Sequence, residues 1–369
     1  MTDQETELAR TPLDGLHRRL GARMVPFAGY AMPLQYAAGI MAEHLHCRAA
    51  ASLFDVSHMG QASLEGEGAA AALELLVPGD ILGLKPGRQR YTLLTDDAGG
   101  ILDDLMVANL GERLLLIVNA SRKSFDLAHI AAALPAAVRL VPHTDRALLA
   151  LQGPAAAMVL ARLDPGVEAM PFLGVAERQL AGTAAIVTRS GYTGEDGFEI
   201  SLPAEAAEPL AVALLAEPEV RPAGLGARDS LRLEAGLCLY GADIDTTTTP
   251  IEAGLDWTIG KRRRAAWDFP GGGVIRAQHD DGPARLRVGI RPEGRAPARA
   301  GTKLLDDAGA EIGRVTSGCF APSLNGPIAM GYVASAFVAD GTRLAALVRG
   351  KALPALVAPM PFVPHRYLR

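Results

Sequence analysis

Cysteine is scarce in this chain and never paired. Three occur in 369 residues, Cys47, Cys238 and Cys319, and none stands in a C-x-x-C spacing. An odd, scattered set argues against a disulfide framework or a zinc site, so three buried, reduced thiols are expected. Charge of one sign is lacking too: the formal net charge is −5. No basic excess points to nucleic acid and no acidic tail points to disorder. Long hydrophobic runs are missing. The stretch Ala131 to Val141 is broken by Pro135 and Arg139 and is too short to cross a bilayer, so no membrane association is expected. The opening Met1-Thr2-Asp3-Gln4-Glu5-Thr6-Glu7 is acidic and polar, unlike a signal or transit peptide, which leads to the expectation of a cytoplasmic protein.

Common catalytic signatures are also absent. There is no G-x-x-x-x-G-K-[ST], H-E-x-x-H, G-x-S-x-G or EF-hand loop. Gly224-Leu225-Gly226 begins like a dinucleotide fingerprint but lacks the third glycine. His44 and His46, two apart, do not share a helix face, and no metal site is expected.

What is present is ample core material and many turns. Hydrophobic residues make up 49% of the chain, with 40 Gly and 25 Pro spread along it. This suits two or three domains. Periodicity predicts helices over 37–51, 67–77, Ala155 to Leu163 and Pro203 to Leu215. Leu53 to Gly60 reads as a strand-like segment. Tyr91 to Leu94 and Ile101 to Ala108 read as a hairpin turned by Asp96-Asp97-Ala98-Gly99-Gly100. Leu114 to Val118 and Ala147 to Leu151 are apolar runs suited to buried strands. Pro270-Gly271-Gly272-Gly273 and the stretch 291–301 look like connections. From 284 onward only short strands and turns appear, which predicts a small β-barrel or sandwich.

Several clusters carry possible chemistry. In Gly191-Tyr192-Thr193-Gly194-Glu195-Asp196-Gly197-Phe198-Glu199-Ile200, glycines permit a tight bend that runs into an alternating strand. Glu199 there is either on the surface or placed in a cleft. Asp103 and Asp104 interrupt an apolar strand, and alternation sends them to opposite faces, so at most one enters any given cavity. One of them needs a function or a firm partner; a turn-capping role suits Asp103 better than Asp104. Asn119, at the end of an apolar strand, either forms a turn or offers an amide that donates and accepts. Arg228, in the first turn of a helix after Gly224-Leu225-Gly226, can grip a carboxylate or carbonyl; Arg232 is expected to pair locally. The run Lys261-Arg262-Arg263-Arg264 reads as a solvated surface, or as an anion-attracting one if it faces a cleft.

Taken in order, these motifs resemble a known family. Phe54-Asp55-Val56-Ser57-His58-Met59, Gly100-Ile101-Leu102-Asp103-Asp104-Leu105, Leu151-Gln152-Gly153-Pro154, Arg189 to Glu199, Gly224 to Asp229, Leu239-Tyr240-Gly241 and Val315-Thr316-Ser317-Gly318 are similar to the T-protein of the glycine cleavage system. The likeness runs from about residue 11 to the end. It implies an α+β fold of three domains arranged as a cloverleaf around a central folate cavity, the last a small β-barrel. The corresponding segments are 1–52 with 143–283, then 53–142, then 284–369. It implies an aminomethyltransferase that passes the methylene carbon of an aminomethyl group, carried on the lipoyl arm of H-protein, to tetrahydrofolate. Ammonia and 5,10-methylenetetrahydrofolate result. H-protein is the implied partner, with functional links to P-protein and L-protein.

Residue by residue, the resemblance makes Asp104 catalytic. It makes Glu199 the reader of the pterin and Arg228 a folate contact from the opposite side. Met59, Tyr91, Asn119 and Tyr192 would line the cavity. Arg299 and Arg366 would supply contacts from the C-terminal part. Two departures stand out: Ala108 where some relatives have an aromatic, and Tyr30 in place of a more usual Trp. The alternatives are another folate-dependent enzyme on the same fold, such as a demethylase, and a non-catalytic folate-binding protein.

Overall fold

Strands form where the sequence alternates or runs apolar, and helices cover the faces that those strands bury. A computed structural model describes residues 8–368; the acidic opening Met1–Glu7 lies outside the described residues. The largest open sheet has six strands, in the order Val175–Leu180, Thr183–Thr188, Gly197–Pro203, Arg146–Gln152, Ala51–Asp55 and Val220–Pro222. All pairs are antiparallel except the last. Phe198, Ile200 and Leu202 are fully buried in its core with Leu149 and Leu151. Burial of each such side chain contributes roughly 1.5–3 kcal/mol. The helices Ala156–Ala161 and Ala204–Leu215 supply Val159, Leu160, Leu210 and Leu214 to the same core. Alternation therefore turns Glu199 away from it.

A second, fully antiparallel sheet has five strands: Arg88–Thr95, Ile101–Asn109, Arg113–Val118, Gly60–Glu65 and Arg139–Pro142. Its first two strands are the expected hairpin. Asp96 Oδ1 closes the turn by accepting from the backbone N–H groups of Ala98 and Gly100, at 2.9 Å each. The capping acid is thus Asp96 and not Asp103. The segment Leu53 to Gly60 is not one strand. Ala51–Asp55 ends in the six-stranded sheet and Gly60–Glu65 begins in the five-stranded one. Asp55 Oδ1 accepts from Ser57 N at 2.9 Å and turns the chain between them. The chain therefore leaves the six-stranded sheet after Asp55.

The C-terminal strands, from Arg285–Pro292 to Lys351–Ala358, close into a six-stranded barrel. Val288, Ile290, Leu304, Val315 and Val333 fill it. The architecture is α+β with a C-terminal barrel, in line with the sequence. A small three-stranded sheet, Ala9–Arg10, Tyr30–Gln35 and Arg23–Phe27, stands apart. Cys47 and Cys238 are buried and free, whereas Cys319 is free but only partly buried.

The region before the barrel departs most from the sequence reading. Helices Lys261–Ala266 and Gly272–Asp281 stand where a connection and a solvated basic run were expected. Glycine's low helix propensity conceals the second helix, yet Ile275 buries its inner face against Ile251, Ile259 and Phe269. Arg263 is buried. Its guanidinium donates to the Glu74 carbonyl at 2.9 Å and pairs with the Glu74 and Asp268 carboxylates.

Candidate active site

Two backbone features shape the bend that precedes Glu199. Gly194 adopts φ +79°, a region that side chains disfavour. A Cβ on Gly191 would run into the Gln152 amide, so only glycine lets the two segments approach. The strand Gly197–Pro203 then sets Glu199 opposite Thr188 on one side and Ala150 on the other. Burial raises the pKa of Glu199, while the charge of Arg228 and a hydrogen bond from Ser190 hold it down.

Arg228 is on the helix Leu225–Glu234. Its guanidinium lies 4.8 Å over the Tyr192 ring, within cation–π range. Burial lowers its pKa and the charge of Glu199 opposes that shift. Among the described residues, Nη1 of Arg228 is buried with no hydrogen-bond partner. An orphaned guanidinium donor beside a buried carboxylate calls for an acceptor from outside the chain. Tyr192 donates its hydroxyl to the Cys238 carbonyl. Met59, like Ile117, packs against the buried group of Phe54, Leu148 and Ala227. A small cavity beside Glu199 is lined by Met106, Ile117, Leu148 and Thr188.

Asp104 comes from the five-stranded sheet. It lies opposite Leu93, two residues beyond Tyr91 on the neighbouring strand. Burial raises its pKa to about 7, with the charge of Asp103 adding to the rise; hydrogen bonds from Tyr91 and Asn119 oppose it. Part of its surface nevertheless stays accessible, as it does for Glu199, Arg228, Tyr91 and Tyr192. Side chains that are desolvated yet partly accessible line a cleft. Burial raises the pKa of Tyr192, and the charge of Asp104 adds to the rise while that of Arg228 opposes it.

Asp103 and Asp104 were expected to part company across the strand. They do alternate, Asp103 buried and Asp104 partly accessible, yet one group reaches both. Asn119 Nδ2 donates to Asp103 Oδ1 at 2.9 Å and to Asp104 Oδ1 at 2.7 Å. The ladder between Ile101–Asn109 and Arg113–Val118 starts only at Leu105 opposite Val118, so the acids and Asn119 lie past its end. Arg232 makes its expected local pair with Asp229 at 2.9 Å and reaches further. Besides Asp229 it reaches Asp243 at 2.6 Å and Ser317 of the barrel at 2.9 Å.

The two C-terminal candidates differ. Arg366 Nη2 donates to Glu195 at 2.6 Å and its backbone N–H to Gly194 at 2.8 Å, which ties it to the bend before Glu199. Arg299 is exposed on the barrel and donates to the Gly318 carbonyl at 3.2 Å; no bond among the described residues links it to the Glu199 group. The sequence reading missed Trp257, whose ring stacks on Tyr91 with centroids 5.6 Å apart. It also missed Asp126, fully buried, whose charge adds to the rise of the Asp103 pKa. Neither sits in a recognisable motif, so only tertiary structure exposes them.

Family profiles match nearly the whole chain: the GCVT N-terminal domain over residues 13–263 and the glycine cleavage T-protein C-terminal barrel domain over 285–364. The chain belongs to the glycine cleavage T-protein family. It is 51% identical to a chicken (Gallus gallus) aminomethyltransferase, covering 98% of this chain and 94% of the relative. It is 49% identical to the human (Homo sapiens) aminomethyltransferase, covering 98% and 91%. The crystal structure of the glycine cleavage system aminomethyltransferase T from Bartonella henselae superposes with a TM-score of 0.93 at 45% identity, covering 98% of this chain and all of that one. This T-protein family member is an aminomethyltransferase. The expected cytoplasmic location does not stand: the chicken and human relatives are both named as mitochondrial proteins.

Proposed function

We propose that tetrahydrofolate is the acceptor and that the cleft between Asp104, Glu199 and Arg228 holds it. The observation that carries this reading is the buried, unpartnered Nη1 of Arg228 beside the desolvated carboxylate of Glu199. A flat heterocycle with adjacent N–H groups on one edge and acceptors on another satisfies both. Glu199 accepts the two N–H bonds and Arg228 donates to an acceptor. Tyr91, Tyr192 and Met59 give apolar faces for the rings, and the Asn119 amide completes the wall. Arg366 and Arg299 contact the folate from the C-terminal side, Arg366 being the one fixed beside the Glu199 bend.

Tetrahydrofolate supplies the nucleophilic nitrogens for the one-carbon unit. Asp104 accepts the proton given up by the attacking nitrogen and stabilises positive charge on the carbon being transferred. Burial suits it to this work, because a carboxyl held near 7 can both take up and release a proton at neutral pH. The one-carbon donor in this reading is an aminomethyl group on the lipoyl arm of H-protein, and P-protein and L-protein act on the same carrier. The lobes are those of the sequence analysis, with the five-stranded sheet delivering Asp104 and the six-stranded sheet delivering Glu199.

The test is production of 5,10-methylenetetrahydrofolate from aminomethyl-loaded H-protein and tetrahydrofolate, with Asp104→Asn alongside. Turnover in the variant should fall at least about a hundredfold while folate binding persists. Equal rates would remove Asp104 from the mechanism. No product from wild type despite tetrahydrofolate binding would point to a different donor.

A further inference from the structure

Behind Asp104 lies a pair of acids that the transfer itself does not use. Asp103, on the strand Ile101–Asn109, and Asp126, on the helix Lys123–Ala133, are both at 0% exposure. Each carboxyl perturbs the titration of the other, so the two buried acids face one another. Asp103 Oδ1 receives the Asn119 amide at 2.9 Å. Among the described residues, Asp103 Oδ2 and both Asp126 oxygens are buried with no hydrogen-bond partner, a set of orphaned acceptors that one proton held between the carboxyls would satisfy. An ionised carboxylate only accepts, so a bond between two carboxyls requires a proton on one of them. Like charges in contact in a dry site cannot both ionise.

We propose that Asp103 and Asp126 hold a single proton between them, and that this acid pair is a positioning element that sets the ionisation of Asp104 through the shared Asn119 amide. The inference rests on the reading of Asp104 as the group that must ionise for transfer. The pair presents one negative charge to Asp104 where two separate carboxylates would present two. The groups facing it are few. Arg122, the N-cap of the helix that carries Asp126, lowers the Asp126 pKa, and the Tyr240 hydroxyl, with Asp245 near it, feels both acids. Asp104 itself is faced by Tyr91, and its charge is felt by Tyr192 and Cys238. Burial, the largest cause, raises the pKa of both members of the pair, in keeping with a retained proton.

Two isosteric variants separate this role from a structural one. In Asp126→Asn the new amide can donate to Asp103, which becomes a full carboxylate next to Asp104. The acid limb of the kcat profile should then move to higher pH. In Asp103→Asn the charge retreats to Asp126, farther from Asp104, and the limb should move to lower pH. Each shift is expected on the order of one pH unit, with tetrahydrofolate affinity unchanged. Shifts in the same direction, or none in either variant, would overturn the proposal.

Infrared spectroscopy tests the proton itself without reference to turnover. The carbonyl stretch of a protonated carboxylic acid should be present at neutral pH in wild type, persist in Asp104→Asn, where Asp104 can no longer contribute to it, and be lost in Asp104→Asn combined with Asp126→Asn. Its absence from both wild type and Asp104→Asn would refute the shared proton even if neither pair variant folds. If Asp104→Asn keeps wild-type turnover while the band persists, the Asp104 reading fails and the proton-sharing pair stands.

Discussion

A single amide nitrogen, Nδ2 of Asn119, donates to Asp103 at 2.9 Å and to Asp104 at 2.7 Å. It favours the ionised form of each acid, against the burial that favours the neutral form. Asn119→Leu keeps the volume and removes the donor. The expected cost is about 1–3 kcal/mol for each carboxylate left without it, read from the urea midpoint. The sign with pH follows from the linkage. A bond to the charged form contributes where the acid is ionised, so the loss is fullest at alkaline pH and shrinks as pH falls through about 7, where Asp104 takes up its proton. A loss that grows on acidification would contradict the assignment.

Glu199 and Arg228 set a conflict between stability and binding. The folded-state pKa of Glu199 is raised by burial, so the folded protein holds its proton more tightly than the unfolded chain. Its contribution to stability is therefore present at acid pH and declines as pH rises above the ordinary glutamate range. Glu199→Gln removes that penalty and should leave the protein at least as stable as wild type at neutral pH. The same change turns a double acceptor into a group with one carbonyl. Tetrahydrofolate affinity should fall by about 1.5–3 kcal/mol, measured by calorimetry. Unaltered affinity would show that Glu199 does not read the pterin.

Trp257 is 61% exposed, yet it stacks on the site residue Tyr91 at an interplanar angle of 24°. The other tryptophan, Trp267, packs against Phe269 and His279. Tetrahydrofolate bound against Tyr91 should therefore change the emission of Trp257 and leave Trp267 alone. Trp257→Phe should abolish the change. Trp257→Ala should weaken folate binding by about 0.5–1.5 kcal/mol, the worth of an aromatic contact. The same emission change in Trp257→Phe would place the ligand elsewhere.

Legibility in the sequence followed locality. Strands with unbroken or alternating apolar residues, such as Ala147 to Leu151 and Leu286 to Ile290, declared themselves because sheet period and burial act over a few neighbours. Asp104, Glu199 and Arg228 were legible through the motifs around them. Asp126 was not, since a helix acid reads as solvated until a strand acid is laid against it. The pairing of both acids with Asn119 was hidden for a related reason: alternation sets the faces of Asp103 and Asp104, but Asn119 lies just past the end of the ladder with Arg113–Val118, where its amide can reach both. The helix Gly272–Asp281 was concealed by glycines whose propensity argues against it, and packing of Ile275 overrides that argument.

The basic run at 261–264 shows how far a composition argument can mislead. Lys and Arg in succession suggest solvent, but Arg263 is 2% exposed and Glu74, its partner, 4%. Arg262, next to it, is half exposed and pairs with Glu74 and Asp80. The two arginines should respond very differently to truncation. Arg263→Met leaves the Glu74 carboxylate buried with only Arg262 and the Leu82 backbone N–H against it, a loss expected at about 3–5 kcal/mol. Arg262→Ala should cost about 0–1 kcal/mol, because the Arg262 guanidinium is half exposed and screened and Glu74 keeps Arg263 and the Leu82 N–H. Glu74→Gln combined with Arg263→Met removes the stranded charge and should recover part of the larger loss. Thermal melting of the four proteins checks this. Equal small losses for both single variants would mean that Glu74 finds enough compensation without Arg263, and that the buried pair does not hold the helix Lys261–Ala266 against the five-stranded sheet's lobe.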